Sequence, residues 1–335
     1  MNAVLEELIN HIEPLDTAVM AEFHSQLTEL EDSLDPNLCF LAERICGTLG
    51  TTQPQPLKKA VIIYAADHAV DGGENMTRGK NSKAEALLIA SGKGNINKVA
   101  HRVGAGVLLI DIGLQQSIPE SEGVQDCKVM AGSHFFGKGP AMSKDEMTDA
   151  IMYGVQMAQQ LADEGYTAIG LGNLGERGIL SAFAITAAFY RDKMDELPDG
   201  IGDADKVSQL GTMLDKLDLN RKKPMHLLQH AGAPDIAAMV GFILSAAQRH
   251  MLIVFDNAVT GAAVLLARTL CHGVDSYVYP SARYAEPVHQ MQMKKLGLKP
   301  FLQYDVTGDE GMGSVLGLSL LDAAIRMIEE KLHRG

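Results

Sequence analysis

No extended run of lysine or arginine occurs in these 335 residues, and the formal charge is −13. Nucleic-acid backbones are gripped by clustered positive charge, so no nucleic-acid partner is expected. The four cysteines, Cys39, Cys46, Cys127 and Cys271, form no CxxC pair and no metal-ligand spacing. They read as reduced, mostly buried thiols of a cytoplasmic protein. The first residues, MNAVLEELINHIEPL, are acidic and amphipathic and carry neither the basic nor the apolar region of a signal peptide. No apolar run is long enough to cross a bilayer, so no membrane partner is expected. The eleven histidines are scattered. No pair of them reads as sharing a helix face at ligand spacing, which leaves no metal site expected. Internal repeats are also lacking.

What is present is a packed α/β pattern. Hydrophobic residues make up 46% of the chain, enough for a large core. Residues 1–49 follow helical periodicity, punctuated by Pro14 and Pro36. After the linker TTQPQPLKK come short apolar runs: AVIIYAAD, VLLIDIG, YTAIGLG, LIVFDN and YVYPS. Between them lie helical patterns over Ser82–Arg102, Lys144–Glu164, Ile179–Tyr190, Pro234–Arg249 and Ala258–Cys271. This alternation predicts a mostly parallel, Rossmann-like sheet with helices on both faces. Residues 191–224 read as a long loop with one helix near Lys206–Leu217. The strand ends carry Asp67, Asp111, Asn173 and Asp256, and parallel sheets bind ligands outside those ends.

Three segments carry candidate chemistry. In YDVTGDEGMGSVLG, Glu310 stands in a turn with Gly308, Gly311 and Gly313, before a long C-terminal helix. A shielded carboxylate there is a candidate general base, set against a solvated helix start. Gly170-Leu-Gly172-Asn-Leu-Gly175 matches GxGxxG between a strand and a helix, which suits phosphate at a helix N-terminus. The acid a dinucleotide site needs about 20 residues later falls in the polar segment RDKMDELPDG, and the bland alternative is a tight strand–helix crossing. Asp67-His68 reads as an acid–base dyad or as a turn in which the Asp binds backbone N–H groups.

Several segments, in order, resemble the nicotinate-nucleotide:dimethylbenzimidazole phosphoribosyltransferase family, over nearly the whole chain. YAADHAV is similar to the family's ADHGV strand end, GKGPAMS to GPAMS, and GLGNLG to GxGELG. FDNAVTGAA resembles LDGFISSAA, YPSARYAE resembles PSHxSAE, and TGDEGMGSVLGLSLLDAA resembles RLGEGSGAALAMPLLEAA. The resemblance implies a large α/β domain over 57–313 and a small helical domain from 1–56 with 314–335. It implies a dimer whose partner completes each site. No cofactor is implied. The implied reaction moves phosphoribose from nicotinate mononucleotide to a benzimidazole-like or phenolic acceptor, giving an α-riboside phosphate for cobamide assembly. Glu310 takes the position of the family's base-activating Glu.

The resemblance also sets the other candidate site residues. Thr77 and Glu85 fall near the family's acceptor pocket. Asn173, Leu174, Gly175, Arg177 and Ser181 cover the GELG turn and the start of the next helix, with Asn173 where the family has an acid. Gly202, Lys206 and Gln209 cover the donor-phosphate helix, with Gln209 near the family's Lys; Lys206, one turn away, and Arg177 are candidate replacement cations. Gly232, Ser281, Gly308 and Gly311 complete the set. Three alternatives stay open: a degenerate member serving as the partner subunit of an active relative, forming a heterodimer rather than a homodimer, a nucleotide- or base-binding protein, or an unrelated phosphate-ester enzyme.

Overall fold

The computed structural model describes residues 3–28, 35–72, 79–119, 123–196, 204–306 and 310–332. Thr77, Gly202 and Gly308 lie outside the described residues, as does the side chain of Lys206.

The apolar runs form the strands. AVIIYAAD becomes β1 (Lys59–Ala66), all of whose residues are buried. The others are β2 (Ala105–Gly113), β3 (Gln125–Asp126), β4 (Ala168–Leu174), β5 (Leu252–Phe255) and β6 (Val278–Pro280). All five pairings in this sheet are parallel, and the strand order is β3-β2-β1-β4-β5-β6. That is the doubly wound order, which reverses between β1 and β4 and opens a crevice at their carboxyl ends. A second, two-stranded parallel sheet pairs β7 (Ala282–Arg283) with β8 (Leu302–Asp305).

The helices are α1 (Ala3–Asn10), α2 (Thr17–Thr28), α3 (Pro36–Leu49), α4 (Lys80–Ala90), α5 (Asn95–Arg102), α6 (Lys144–Asp163) and α7 (Gly178–Ala188). They continue with α8 (Ala204–Lys216), α9 (Pro224–Ala231), α10 (Pro234–Gln248), α11 (Ala258–Leu270), α12 (Pro287–Leu296) and α13 (Met312–Leu332). Side chains of β1 alternate between two cores. Ile62 and Tyr64 pack with Ile151 of α6 and Phe242 of α10; Val61 and Ile63 pack with Ile45 of α3 and Leu318 of α13. A strand buried on both faces explains why its sequence is a continuous apolar run.

The N-terminal and C-terminal helices do not stand apart from the sheet. Phe23, Leu41, Leu321 and Ile325 share one apolar cluster with Val61 and Ile63. Lys59, the first residue of β1, is paired with Asp322 of α13 at 3.1 Å, with both side chains largely buried. No helix among the described residues is long and apolar enough to cross a membrane.

One expectation about helices is corrected, and two helices were not anticipated. The segment Ser82–Arg102 is two helices, α4 and α5, because Gly92 adopts a left-handed φ of 75° that ends the first one. The region 191–224 holds α8 as expected, but α9 follows directly, and α12 was not anticipated. Both α9 and α12 start with proline at the first helical position, where its missing N–H costs nothing. Proline opens these helices rather than breaking them.

Candidate active site at the carboxyl ends of the strands

The chain enters α13 across the ends of β4 and β5. The Ser314 hydroxyl donates to the carbonyl of Leu171 at 2.7 Å, and the Ser314 amide donates to Asp256 Oδ2 at 3.1 Å. Gly172 makes this crossing possible: a Cβ there would lie 2.6 Å from the carbonyl oxygen of Glu310. Gly311 turns the chain with φ of 94°. Gly170 likewise faces Ser314, where a Cβ would lie 2.9 Å from that side chain. The first two glycines of GLGNLG therefore serve close packing under the Glu310 turn. At the third, Gly175, a Cβ would meet the carbonyl of Ala66 on β1. Glu310 itself is half-buried.

Below this strap the β1 end is a bracket. Asp67 is fully buried and accepts the Ser82 hydroxyl at 2.5 Å, the Gln115 amide at 2.8 Å and the Glu176 amide at 3.0 Å. Of the two readings of Asp67-His68, the geometry is that of the turn. His68 pairs instead with Asp235 in the first turn of α10, Nε2 to Oδ2 at 3.0 Å, and its Nδ1 lies 3.0 Å from Ser181 Oγ. His68 and Asp235 are both completely buried. At the β2 end, burial pushes the Asp111 carboxyl above its ordinary range, opposed by the Leu114 amide and by Lys128 at 3.0 Å.

A cavity of about 280 Å³ opens at the carboxyl end of β4. Asn173, Gly175 and Arg177 line it from the β4 end, and Gly178, Asn257, Tyr284 and Glu286 are among its other walls. Three helices present their N-termini here. α11 is closed by a capping box in which Asn257 accepts from the amides of Val259 and Thr260. α12 is closed by Glu286, which accepts from Val288 and His289. α7 starts at Arg177, in a left-handed conformation with φ of 64°, with no side-chain cap. The α7 end therefore offers uncapped first-turn amides and a positive helix end to an anion. The Arg177 guanidinium donates to the Ala69 carbonyl at 3.0 Å, which holds it at the cavity edge.

Two further contacts shape the walls. The Asn257 amide donates to Asn173 Oδ1 at 2.7 Å, fixing both side chains. The Tyr284 hydroxyl donates to Asp256 Oδ2 at 3.0 Å, and its ring packs edge-on against His289, with centroids 5.4 Å apart. Burial pushes the His289 imidazole down to about 4, keeping it neutral.

The candidate residues thus fall into groups. Asn173, Gly175 and Arg177 line the cavity, with Leu174 buried between them. Gly311 and Glu310 sit over β4. Ser181 is buried, with its hydroxyl against His68. Ser281 is buried at the β6 end, and Gly317 of α13 packs on it. Glu85 is half-buried on α4, Gly232 ends α9, and Gln209 is exposed on α8. Asn257, Tyr284 and Glu286 were not singled out from the sequence; the SARYAE segment and the N-cap position after LIVFD carried the signal.

Among the described residues no three His, Cys, Asp or Glu side chains converge on a metal-sized site. The expectation that no histidine pair has helical ligand spacing is corrected: His226 and His230 stand four residues apart on α9 with ring centroids 4.0 Å apart. That pair was hidden because α9 itself was not anticipated. His226 Nε2 engages the Leu217 carbonyl, and His230 Nδ1 engages the carbonyl of His226.

The phosphoribosyltransferase family model matches residues 12–333. The nicotinate-nucleotide–dimethylbenzimidazole phosphoribosyltransferase of Chloroflexus aggregans is 33% identical over 338 residues, covering 98% of this chain and 96% of that one. This chain belongs to the nicotinate-nucleotide:dimethylbenzimidazole phosphoribosyltransferase family. The Geobacter metallireducens relative of the same name is 28% identical over 336 residues, covering 98% of this chain and 95% of that one. The crystal structure of the Thermus thermophilus phosphoribosyltransferase superposes with a TM-score of 0.82 at 26% identity, covering 94% of this chain and 96% of that one. The fold of that solved structure is therefore shared over 94% of this chain.

Proposed function

We propose that this chain transfers phosphoribose from nicotinate mononucleotide to an aromatic base or phenol, giving an α-riboside phosphate for cobamide assembly. The observation that carries this is that β4 seats the Glu310 backbone on Gly172 and lends Asn173 to a cavity rimmed by three helix N-termini, in a chain matching this family over nearly its whole length.

The leaving pyridinium is cationic, so its departure removes positive charge and needs little acid assistance. What remains is to align the acceptor and remove its proton. Glu310 is assigned that proton. The uncapped start of α7 and the charge of Arg177 are assigned the donor phosphate, with Gly202, Lys206 and Gln209 kept as further donor-side candidates. Asn173, held by Asn257, orients the donor without exchanging a proton. Thr77 and Glu85 are kept for the acceptor; Leu174, Gly175, Ser181, Gly232, Ser281, Gly308 and Gly311 shape the backbone around both substrates.

The active form is proposed as a dimer, with itself or with a related chain. Support comes from Phe40 on α3, 62% exposed, and from Ile179, which lines the cavity, and its neighbour Leu180, both about two-fifths exposed. The four cysteines are free thiols, which suits the cytoplasm. No observation favours the alternative of a degenerate partner subunit.

The test is nicotinate release from nicotinate mononucleotide in the presence of dimethylbenzimidazole, azole, purine and phenol acceptors. Release with at least one acceptor is expected. A purified dimer that binds the nucleotide but releases nicotinate with none of them overturns the assignment.

A further inference from the structure

Three helices, α7, α11 and α12, start at the strand-end cavity and finish together at a second one. Gly178, Ala258 and Glu286 line the first cavity at the helix starts. Phe189, Thr269 and Lys295 line the second at the helix ends. The separation is about one helix length, roughly 16 Å for the eleven residues of α7. The second cavity measures about 370 Å³.

Its charge is out of keeping with the molecule. Arg221, Lys222, Arg268 and Lys295 line it, with His272, and among the described residues no carboxylate does. The whole chain carries a net −13. Two of these cations have structural roles. Arg268 donates to Asp275 at 2.9 Å and to the Leu296 carbonyl at 3.1 Å. The Lys295 ammonium lies 4.3 Å from the centre of the Tyr190 ring. Both stand in the last turns of their helices, where cations complement the helix end.

Arg221 and Lys222 have no such role. They stand exposed on the turn before α9, and their side chains make no ion pair or hydrogen bond among the described residues. Their neighbour Lys223 is different, being paired with Asp218. Two unengaged cations thus face a cavity whose other wall offers the Phe189 ring and Leu265. Like charges are held together here without a structural partner, which an anionic ligand would relieve.

We propose that this cavity is a second binding site, for a small phosphate ester carrying a planar ring. The phosphate sits between Arg221, Lys222 and Lys295, and the ring lies against Phe189 and the Arg268 guanidinium. The site is separate from the proposed transferase site and does not depend on that assignment.

The test uses adenosine monophosphate as probe, with adenosine as its uncharged control, in calorimetric titrations of the full chain. The Arg221→Glu/Lys222→Glu double variant is compared with Arg177→Glu at the strand-end cavity, and thermal unfolding confirms that both remain folded. Binding is expected to weaken at least about tenfold in the double variant, to persist in Arg177→Glu, and to be stronger for the monophosphate than for adenosine. Binding unchanged in the double variant, binding lost only in Arg177→Glu, equal binding of adenosine, or no binding at millimolar concentration would each overturn the proposal. Since both altered residues are exposed, Lys222→Ala serves as a milder second variant if the double one unfolds, with the same expected direction.

Discussion

Asp67 and Glu310 are acids at the same end of the same sheet, and the fold treats them differently. Asp67 is fully buried and takes three hydrogen bonds from the ends of other segments. Its carboxylate is fully used in tying β1 to the segments after β2 and β4. Glu310 is half-buried, and the fold grips its backbone, whose carbonyl is pressed onto Gly172. A carboxylate saturated by buried donors is a bracket, because changing its protonation would break those bonds. One that is only half-buried, with its main chain fixed, can change protonation at a smaller cost to the fold. Residue type and position at a strand end do not separate the two acids; their burial does.

The largest expected effect falls on turnover. Glu310→Gln should lower the rate of nicotinate release by ~10²–10⁴ while leaving the urea midpoint unchanged. A large fall in midpoint would erase the distinction from Asp67. The reverse is expected at the bracket. Asp67→Ala strands two backbone amides and one hydroxyl and should cost on the order of 3 kcal/mol or more of unfolding free energy in a denaturant titration. An Asp67→Ala protein as stable as the native one would put Asp67 among the functional acids instead.

A third group sharpens the comparison by titrating under the strap. His289 packs on Tyr284, which in turn holds Asp256 beneath α13. Burial lowers its value to about 4 from the ordinary 6.5, so between those values the unfolded chain binds the extra proton. The stabilisation is complete above pH 6.5 and is lost as pH falls towards 4, amounting to no more than about 3 kcal/mol. His289→Phe should flatten the stability profile across that window. A profile as steep as the native one would mean that other groups drive the acid loss.

The sheet was legible because its central strands β1 and β4 are buried on both faces, which forces an apolar run such as AVIIYAAD into the sequence. The C-terminal helix and the glycine turn before it were legible for a related reason, since only glycine tolerates the crossing at Gly172 and Gly311. Less visible were contacts between segments far apart in the chain. His68 meets Asp235 across 167 residues, and Asn173 meets Asn257 across 84. No local spacing encodes such pairs. In the GxGxxG pattern the close packing that stood as the bland alternative is what the glycines show. Its first two glycines make room for α13, while the uncapped helix start lies further on, at Arg177 and Gly178. The helices α9 and α12 are short, eight and ten residues, which leaves little periodicity to read.

The C-terminal helix behaves as a beam clamped at two points. Ser314 bolts one end to β4 and β5 at their carboxyl ends, and Asp322, eight residues on, is bolted to Lys59 at the opposite end of β1. The span between the clamps is roughly 12 Å at 1.5 Å per residue. The height of Glu310 above the sheet is thereby gauged from the far edge of the molecule. A single residue inserted between Ser314 and Asp322 would turn one clamp by about 100° relative to the other, so that both could not close at once. Helix length here is a tolerance of the chemistry, set by residues that never approach the substrate.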